Sequence, residues 1–289
     1  MKLIISDEIL RKYVPNVFAT AAGEKSLFEK LYPWLEMAEE WVKDTFTSEQ
    51  TFNTISGYTD ANVIKTYTCK VVVAHALMCA VPSLDLVLTP NGFGIVSNSN
   101  VAPASKERVD RLIVSLASDR DRAIHLLLGS LVGASKWLQS EQYAYFSSTM
   151  FPNIDLCDYI GIREHQWSKY EELRPLVLEI EKEIETHFIG TEQMTAFRKK
   201  VIQPSSSTST LMTSVIRSLR AEIAQRVKAR LAAPSLTAHL CPPPTTLVHI
   251  VDIIRNSETE FPEWHSSSIK ELFNPPIYEN KKKDTGYWF

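Results

Sequence analysis

A proline inside an amphipathic helix removes a backbone hydrogen bond and crowds the preceding turn. This chain carries two such prolines, 142 residues apart and in the same setting. Phe28-Glu29-Lys30-Leu31-Tyr32-Pro33 and Tyr170-Glu171-Glu172-Leu173-Arg174-Pro175 both read aromatic-Glu-x-Leu-x-Pro. At the same offset Glu39 meets Glu181 and Phe46 meets Phe188. One residue later in register, Ser48-Glu49-Gln50 meets Thr191-Glu192-Gln193. Further on, Ala80-Val81-Pro82-Ser83-Leu84 resembles Ala232-Ala233-Pro234-Ser235-Leu236 at an offset of 152. Three matches in one order imply an internal duplication. The growing offset gives the second copy about ten extra residues, and the serine-rich stretch 204–210 is the expected place for them.

The local signals predict a mainly α fold of two similar helical units with small β-hairpin elements. Ser6 caps a short helix ending near Tyr13. Ser26 and Glu29 form a capping box ahead of an apolar face made of Leu27, Leu31, Leu35, Ala38 and Val42. Asp60 is the expected cap of a second helix running from Ala61 to Val81. Leu84–Leu88 and Phe93–Val96 flank Thr89-Pro90-Asn91-Gly92, which reads as a hairpin. Ser105 opens the next helix, and Asp119 is placed to cap its continuation to Leu138. Residues 1–163 form the first expected unit and 164–289 the second. The second has helices near 175–188 and 211–233, a short apolar segment at 246–255 and an extended stretch from 257 onward.

Composition narrows the function classes. Among 289 residues, 44% are hydrophobic and 22% charged, enough to bury a core. A net charge of −3 argues against nucleic-acid binding through a global field. Cys69, Cys79, Cys157 and Cys241 form no CxxC pair and no zinc spacing, as expected of free thiols in a reducing compartment. The seven histidines are scattered, and there is no HExxH, Gly-rich phosphate loop or GxSxG. No catalytic, metal or cofactor residue is therefore assigned, and the expectation is a non-enzyme. Met1–Leu10 does not read as a signal peptide. The longest apolar run, Val71–Val81, is shorter than a membrane span requires. The expected location is cytoplasmic when made, without a membrane partner.

Two features are less bland. Residues 171–185 carry six acidic and two basic side chains, whereas 198–230 carry eight basic and one acidic. The basic helix 211–230 is a candidate nucleic-acid contact, but its charges are spread round the helix. Pairing with the acidic helix is the favoured reading. The segment Pro275–Phe289 sets Lys281, Lys282 and Lys283 between Tyr278 and the triplet Tyr287, Trp288 and Phe289. Such aromatics are costly to leave in water. They dock either on their own domain or on another chain, for example as an added strand. These seven residues are the candidate interaction site.

Several phrases resemble a known family. They are Leu27-Phe28-x-x-Leu31-x-Pro33-x-Leu35-x-x-Ala38-Glu39-x-x-Val42, Gly92-Phe93-Gly94-Ile95-Val96-Ser97 and Ala102-Pro103-Ala104-Ser105-x-x-Arg108-Val109. Together they resemble a domain-of-unknown-function family of Bacteroidetes prophages and mobile elements. The x-Pro-x-Leu-x-x-Ala-Glu helix is also similar to the first helix of the small head–tail connector proteins of tailed phages. The resemblance implies a virion structural protein of the neck region that self-associates as a ring or binds other virion proteins. It carries no catalytic residues.

Overall fold

The structure, a computed structural model, describes residues 2–14, 25–84, 86–89, 92–95, 105–232 and 245–274. The chain divides into two compact units, Met1–Pro175 and Leu176–Phe289. The fold is helical, with one two-stranded ribbon among the described residues.

The first unit opens with α1 (Asp7–Arg11), which Ser6 caps. Helix α2 (Leu27–Val42) starts on the Ser26/Glu29 capping box and runs straight through Pro33. It buries Leu31, Leu35, Ala38 and Val42. A five-residue π turn (Lys43–Thr47) leads to α3 (Glu49–Ser56) and then α4 (Val63–Ala80). The cap of α4 is Asn62, whose Oδ1 accepts from the amides of Ile64 and Lys65, and not the expected Asp60. Asp60 instead pairs with Lys12 and Lys65.

Helix α4 is apolar on nearly every side because it packs against both α2 and α5 (Lys106–Leu131). By length and composition Val63–Ser83 would also span a bilayer, but half of that window is buried inside the unit. Between α4 and α5, β1 (Leu86–Thr89) pairs antiparallel with β2 (Gly92–Ile95), Leu86 opposite Ile95. Asp119 does not restart α5, which continues unbroken to Leu131. Next to it, Arg120 and Asp121 are buried and bonded to each other at 2.7 Å, so they belong to the core and not to a helix start. A 3-10 turn (Trp137–Gln139), α6 (Glu141–Ser147) and α7 (Asp155–Ile160) complete the unit.

Helix α8 (Gln166–Ile184) contains the division, between Pro175 and Leu176. The sequence places the boundary earlier, at 163/164. It lies later because the first turns of α8 are packed into the first unit. Asp121 Oδ2 accepts from the amide of Trp167, and the Tyr170 hydroxyl donates to the Phe151 carbonyl. The Arg174 guanidinium lies 3.7 Å from the centre of the Tyr145 ring and bonds the Ser148 hydroxyl and the Tyr145 carbonyl.

The second unit continues with a π turn (Glu185–Ile189), α9 (Thr191–Ile202), α10 (Thr210–Ala232) and α11 (Thr245–Arg255). It ends with α12 (Pro262–His265) and α13 (Ile269–Phe273), so the stretch expected to be extended holds two short helices. Helix α10 opens after Ser209, whose hydroxyl accepts from the amide of Met212. Measured from the caps Asn62 and Ser209, buried positions coincide: Thr68 with Val215, Val72 with Leu219, Ala76 with Ile223, Ala80 with Val227. The offset there is 147, and the second Ala-x-Pro-Ser-Leu phrase, from residue 233 on, lies outside the described residues. The additional residues lengthen helices instead of filling the serine-rich loop. Helix α9 has 12 residues against 8 in α3, and α10 has 23 against 18 in α4.

Candidate interaction sites

A helix that widens into a π turn releases carbonyls from the regular i→i+4 ladder, and each released carbonyl needs another donor when buried. In the first unit the amide of Ser48 closes the turn on the Lys43 carbonyl at 2.9 Å. Ser48 then takes φ 66° and ψ 158°, which frees the chain to start α3. The Phe46 carbonyl points out of the turn and accepts from the indole Nε1 of Trp137 at 2.7 Å. Trp137 is fully buried. Three residues on, the Ser140 hydroxyl donates back to the Trp137 carbonyl at 2.7 Å and accepts from the amide of Tyr143, opening α6. Helix α6 then lays Phe146 on Phe46, ring centres 6.1 Å apart.

The second unit repeats the turn, the indole bond and the serine return. The amide of Gly190 closes its π turn on the Glu185 carbonyl at 2.9 Å, and Gly190 takes φ 83° and ψ 153°. The Phe188 carbonyl accepts from the indole Nε1 of buried Trp264 at 3.0 Å. The Ser267 hydroxyl donates back to the Trp264 carbonyl at 2.7 Å, and Phe273 of α13 meets Phe188 at 6.2 Å. The two turns lie 142 residues apart throughout, so the one-residue slip suggested by Ser48-Glu49-Gln50 and Thr191-Glu192-Gln193 is absent. Ser48 stands opposite Gly190.

Each junction borders a cavity. The first, about 380 Å³, is lined by Asp44, Thr45, Glu141, Gln142, Tyr145, Trp167 and Glu171. Its walls are aromatic and its rim carries three carboxylates. Burial pushes the Glu171 carboxyl above its ordinary value, while Arg120 and the Trp167 indole pull it back. The second, about 510 Å³, is lined by hydroxyls of Thr186, Thr191 and Ser266–Ser268 together with Glu185, Glu192, Gly190 and Ile269. Burial acts to raise Glu185 too, but Lys182, Arg198 and Thr191 together hold it below the usual carboxylate range.

The charge asymmetry of the second half is internal to that unit. Arg198 pairs with Glu181 and Glu185, Arg230 with Glu179 and Glu183, and Arg226 with Glu222. The corresponding buried carboxylate of the first unit, Glu39, accepts instead from the amides of Leu3 and Ile4.

The candidate residues Tyr278, Lys281, Lys282, Lys283, Tyr287, Trp288 and Phe289 lie outside the described residues. Of the 84–96 hairpin, the backbone pairing is described and the strand side chains are not. What the sequence reading did not find is the tryptophan clamp. A signal for it exists: Trp-x2-Ser-x5-Phe occurs at Trp137-Ser140-Phe146 and again at Trp264-Ser267-Phe273, 127 residues later.

Fold and junctions together define a helical protein whose two halves close on the same Trp-to-π-turn clamp. Residues 18–147 match a family described as a family of unknown function, DUF6712. The match spans α2 to α6. Neither a curated protein nor a solved structure matches the chain.

Proposed function

We propose that the protein is a non-enzymatic assembly protein, built from two copies of one helical unit and serving as a head–tail connector or neck component of a tailed phage. The observation that carries the duplication is the paired clamp: the same turn, indole bond, serine return and phenylalanine contact at matching spacing in both halves. The first half's resemblance to Bacteroidetes prophage proteins and to connector helices gives the phage setting. The division of labour among charges supports an assembly role. Buried acids and bases are consumed in ion pairs and amide contacts that hold helices together, and the two junctions diverge at their rims. The nucleic-acid reading is the weaker one, because Arg198, Arg226 and Arg230 already have carboxylate partners.

Light scattering on the purified full chain tests the assembly role. Ring-sized oligomers are expected, and a strict monomer at every concentration overturns the reading. An electrophoretic shift of duplex DNA at low salt would move the assignment to the alternative.

A further inference from the structure

The cysteines show no zinc-finger spacing, and it is helix α4 that brings one of them beside a histidine. His75 and Cys79 stand four residues apart, on one face and one turn from each other. The Nε2 atom of His75 lies 3.8 Å from the Sγ atom of Cys79. A tetrahedral zinc ion, held at about 2.1 Å by nitrogen and about 2.3 Å by sulfur, spans two such donors about 3.6 Å apart. The pair is therefore already at chelating distance, in the i, i+4 arrangement by which a helix presents two zinc ligands together. We propose that His75 and Cys79 bind one zinc(II) ion, with water completing its coordination.

The imidazole is held in place before any ion arrives. It stacks on the Trp41 ring, with centres 4.0 Å apart and planes 14° from parallel. Its Nδ1 atom is buried without a hydrogen-bond partner, and Nε2 is the nitrogen that meets Cys79. Desolvation and then Arg120 hold His75 down to about 4, so the ring is neutral at pH 7 and keeps a lone pair for a metal. Cys79 is exposed, so an ion reaches its sulfur from solvent. As the sulfur–zinc bond forms, the thiol proton passes to water. The Met78 sulfur is engaged by Arg120 at 3.5 Å, and Arg120 is itself bonded to Asp121. Among the described residues no third ligand joins the pair, which leaves the remaining positions to water. The second unit fills the same positions differently. At the offset of 147, His75 and Cys79 meet Glu222 and Arg226, a buried ion pair at 2.8 Å that is complete in itself. A thiol beside an imidazole makes only a weak hydrogen bond and keeps two good metal donors.

Cobalt(II), a spectroscopic substitute for zinc, tests this on the full chain under a reductant that is not a thiol. Cobalt is expected to give a near-ultraviolet thiolate-to-metal charge-transfer band, and added zinc to abolish it. Cys79→Ser should remove the band. His75→Gln should weaken zinc binding about a hundredfold, read by competition with a chromophoric chelator. Cys79→His keeps two donors on the same helix face, so zinc should still bind while the band is lost. Cys241→Ser should leave both band and affinity unchanged. A full chain that shows no charge-transfer band overturns the proposal. So does a band that survives Cys79→Ser, or a zinc affinity that His75→Gln leaves unchanged. None of these readouts depends on the oligomeric state, so the site can fail while the assembly role stands, and the reverse.

Discussion

The two junctions use one backbone device and finish it with different side chains. In the first unit a strained serine leads out of the π turn, Trp167 lies over the phenylalanine pair, and three carboxylates rim the cavity. In the second a glycine leads out, the phenylalanine pair is tilted by 37° with Trp264 6.3 Å from Phe273, and Glu185 in the cavity wall is bound by a lysine and an arginine. What is shared is therefore what holds the turn: the buried indole and the carbonyl it satisfies. What differs is the residue that leads out of each turn and the side chains that surround it.

The largest expected effect tests the shared part. Trp137→Ala and Trp264→Ala each remove a buried tryptophan and orphan a buried carbonyl, for a loss of about 5 kcal/mol. Each loss should be confined to its own unit, read as accelerated hydrogen exchange in 43–47 or in 185–189 alongside denaturant unfolding. A small loss in one unit would mean that its clamp is incidental, and the equivalence would fail there. Trp167→Ala acts on the unshared part. It should cost the first unit about 3–4 kcal/mol by uncovering Phe46 and Phe146, and expose no new surface in 185–189.

Part of this was legible in the sequence. The proline-bearing helices, Glu39 with Glu181 and Phe46 with Phe188 stand at one offset, and helical periodicity found most of the elements. The second half of the junction was not found because the offset rises from 142 to 147 as α9 lengthens and then falls to 127, where the connection before α11 is shorter and α11 has 11 residues against 26 in α5. A search that holds one offset loses Trp137 and Trp264. The π turn itself has no propensity signature, since its residues, Lys43–Thr47 and Glu185–Ile189, share almost nothing but the phenylalanine. A cap was misplaced where two candidates of equal capping strength compete within two residues: Asn62 has the geometry, and Asp60 is held by lysines.

A smaller effect separates Ser48 from Gly190. Ser48 sits at φ 66° and Gly190 at φ 83°, both with extended ψ, a region that favours glycine. Gly190→Ser should cost about 1–3 kcal/mol, because the new Cβ adds strain and meets the Ser267 hydroxyl at 3.3 Å. The reverse change, Ser48→Gly, relieves strain but loses the hydroxyl that accepts from the amide of Thr51. The two terms nearly cancel, so thermal unfolding should shift by about 1 kcal/mol or less in either direction. A large loss at Ser48 would show that its cap, and not the turn, holds the first junction.

The smallest expected effect is a difference of sign with pH. Burial raises the Glu39 carboxyl above its ordinary 4.5, against the pull of the Leu3 and Ile4 amides. A charged Glu39 therefore weighs on the first unit, and that load is lifted as pH falls through its raised value. Glu185 has the opposite balance: its depressed value means that it stabilises the second unit above the ordinary carboxylate range. That contribution is lost as pH falls from about 4.5 through the lowered value. Glu39→Gln should thus raise neutral-pH stability of the first unit by about 1 kcal/mol at most, and Glu185→Gln lower that of the second by a similar amount. Half-buried His75, held down to about 4 first by desolvation and then by Arg120, also weakens the first unit as pH falls from 6.5. It is common to wild type and Glu39→Gln, so their difference isolates the glutamate. Local exchange near Leu3 and in 185–189, followed from pH 7 to 4, should move in opposite directions once that shared slope is subtracted. Parallel movement would mean that the two buried acids do the same job, and the contrast between the units would shrink to their tryptophans.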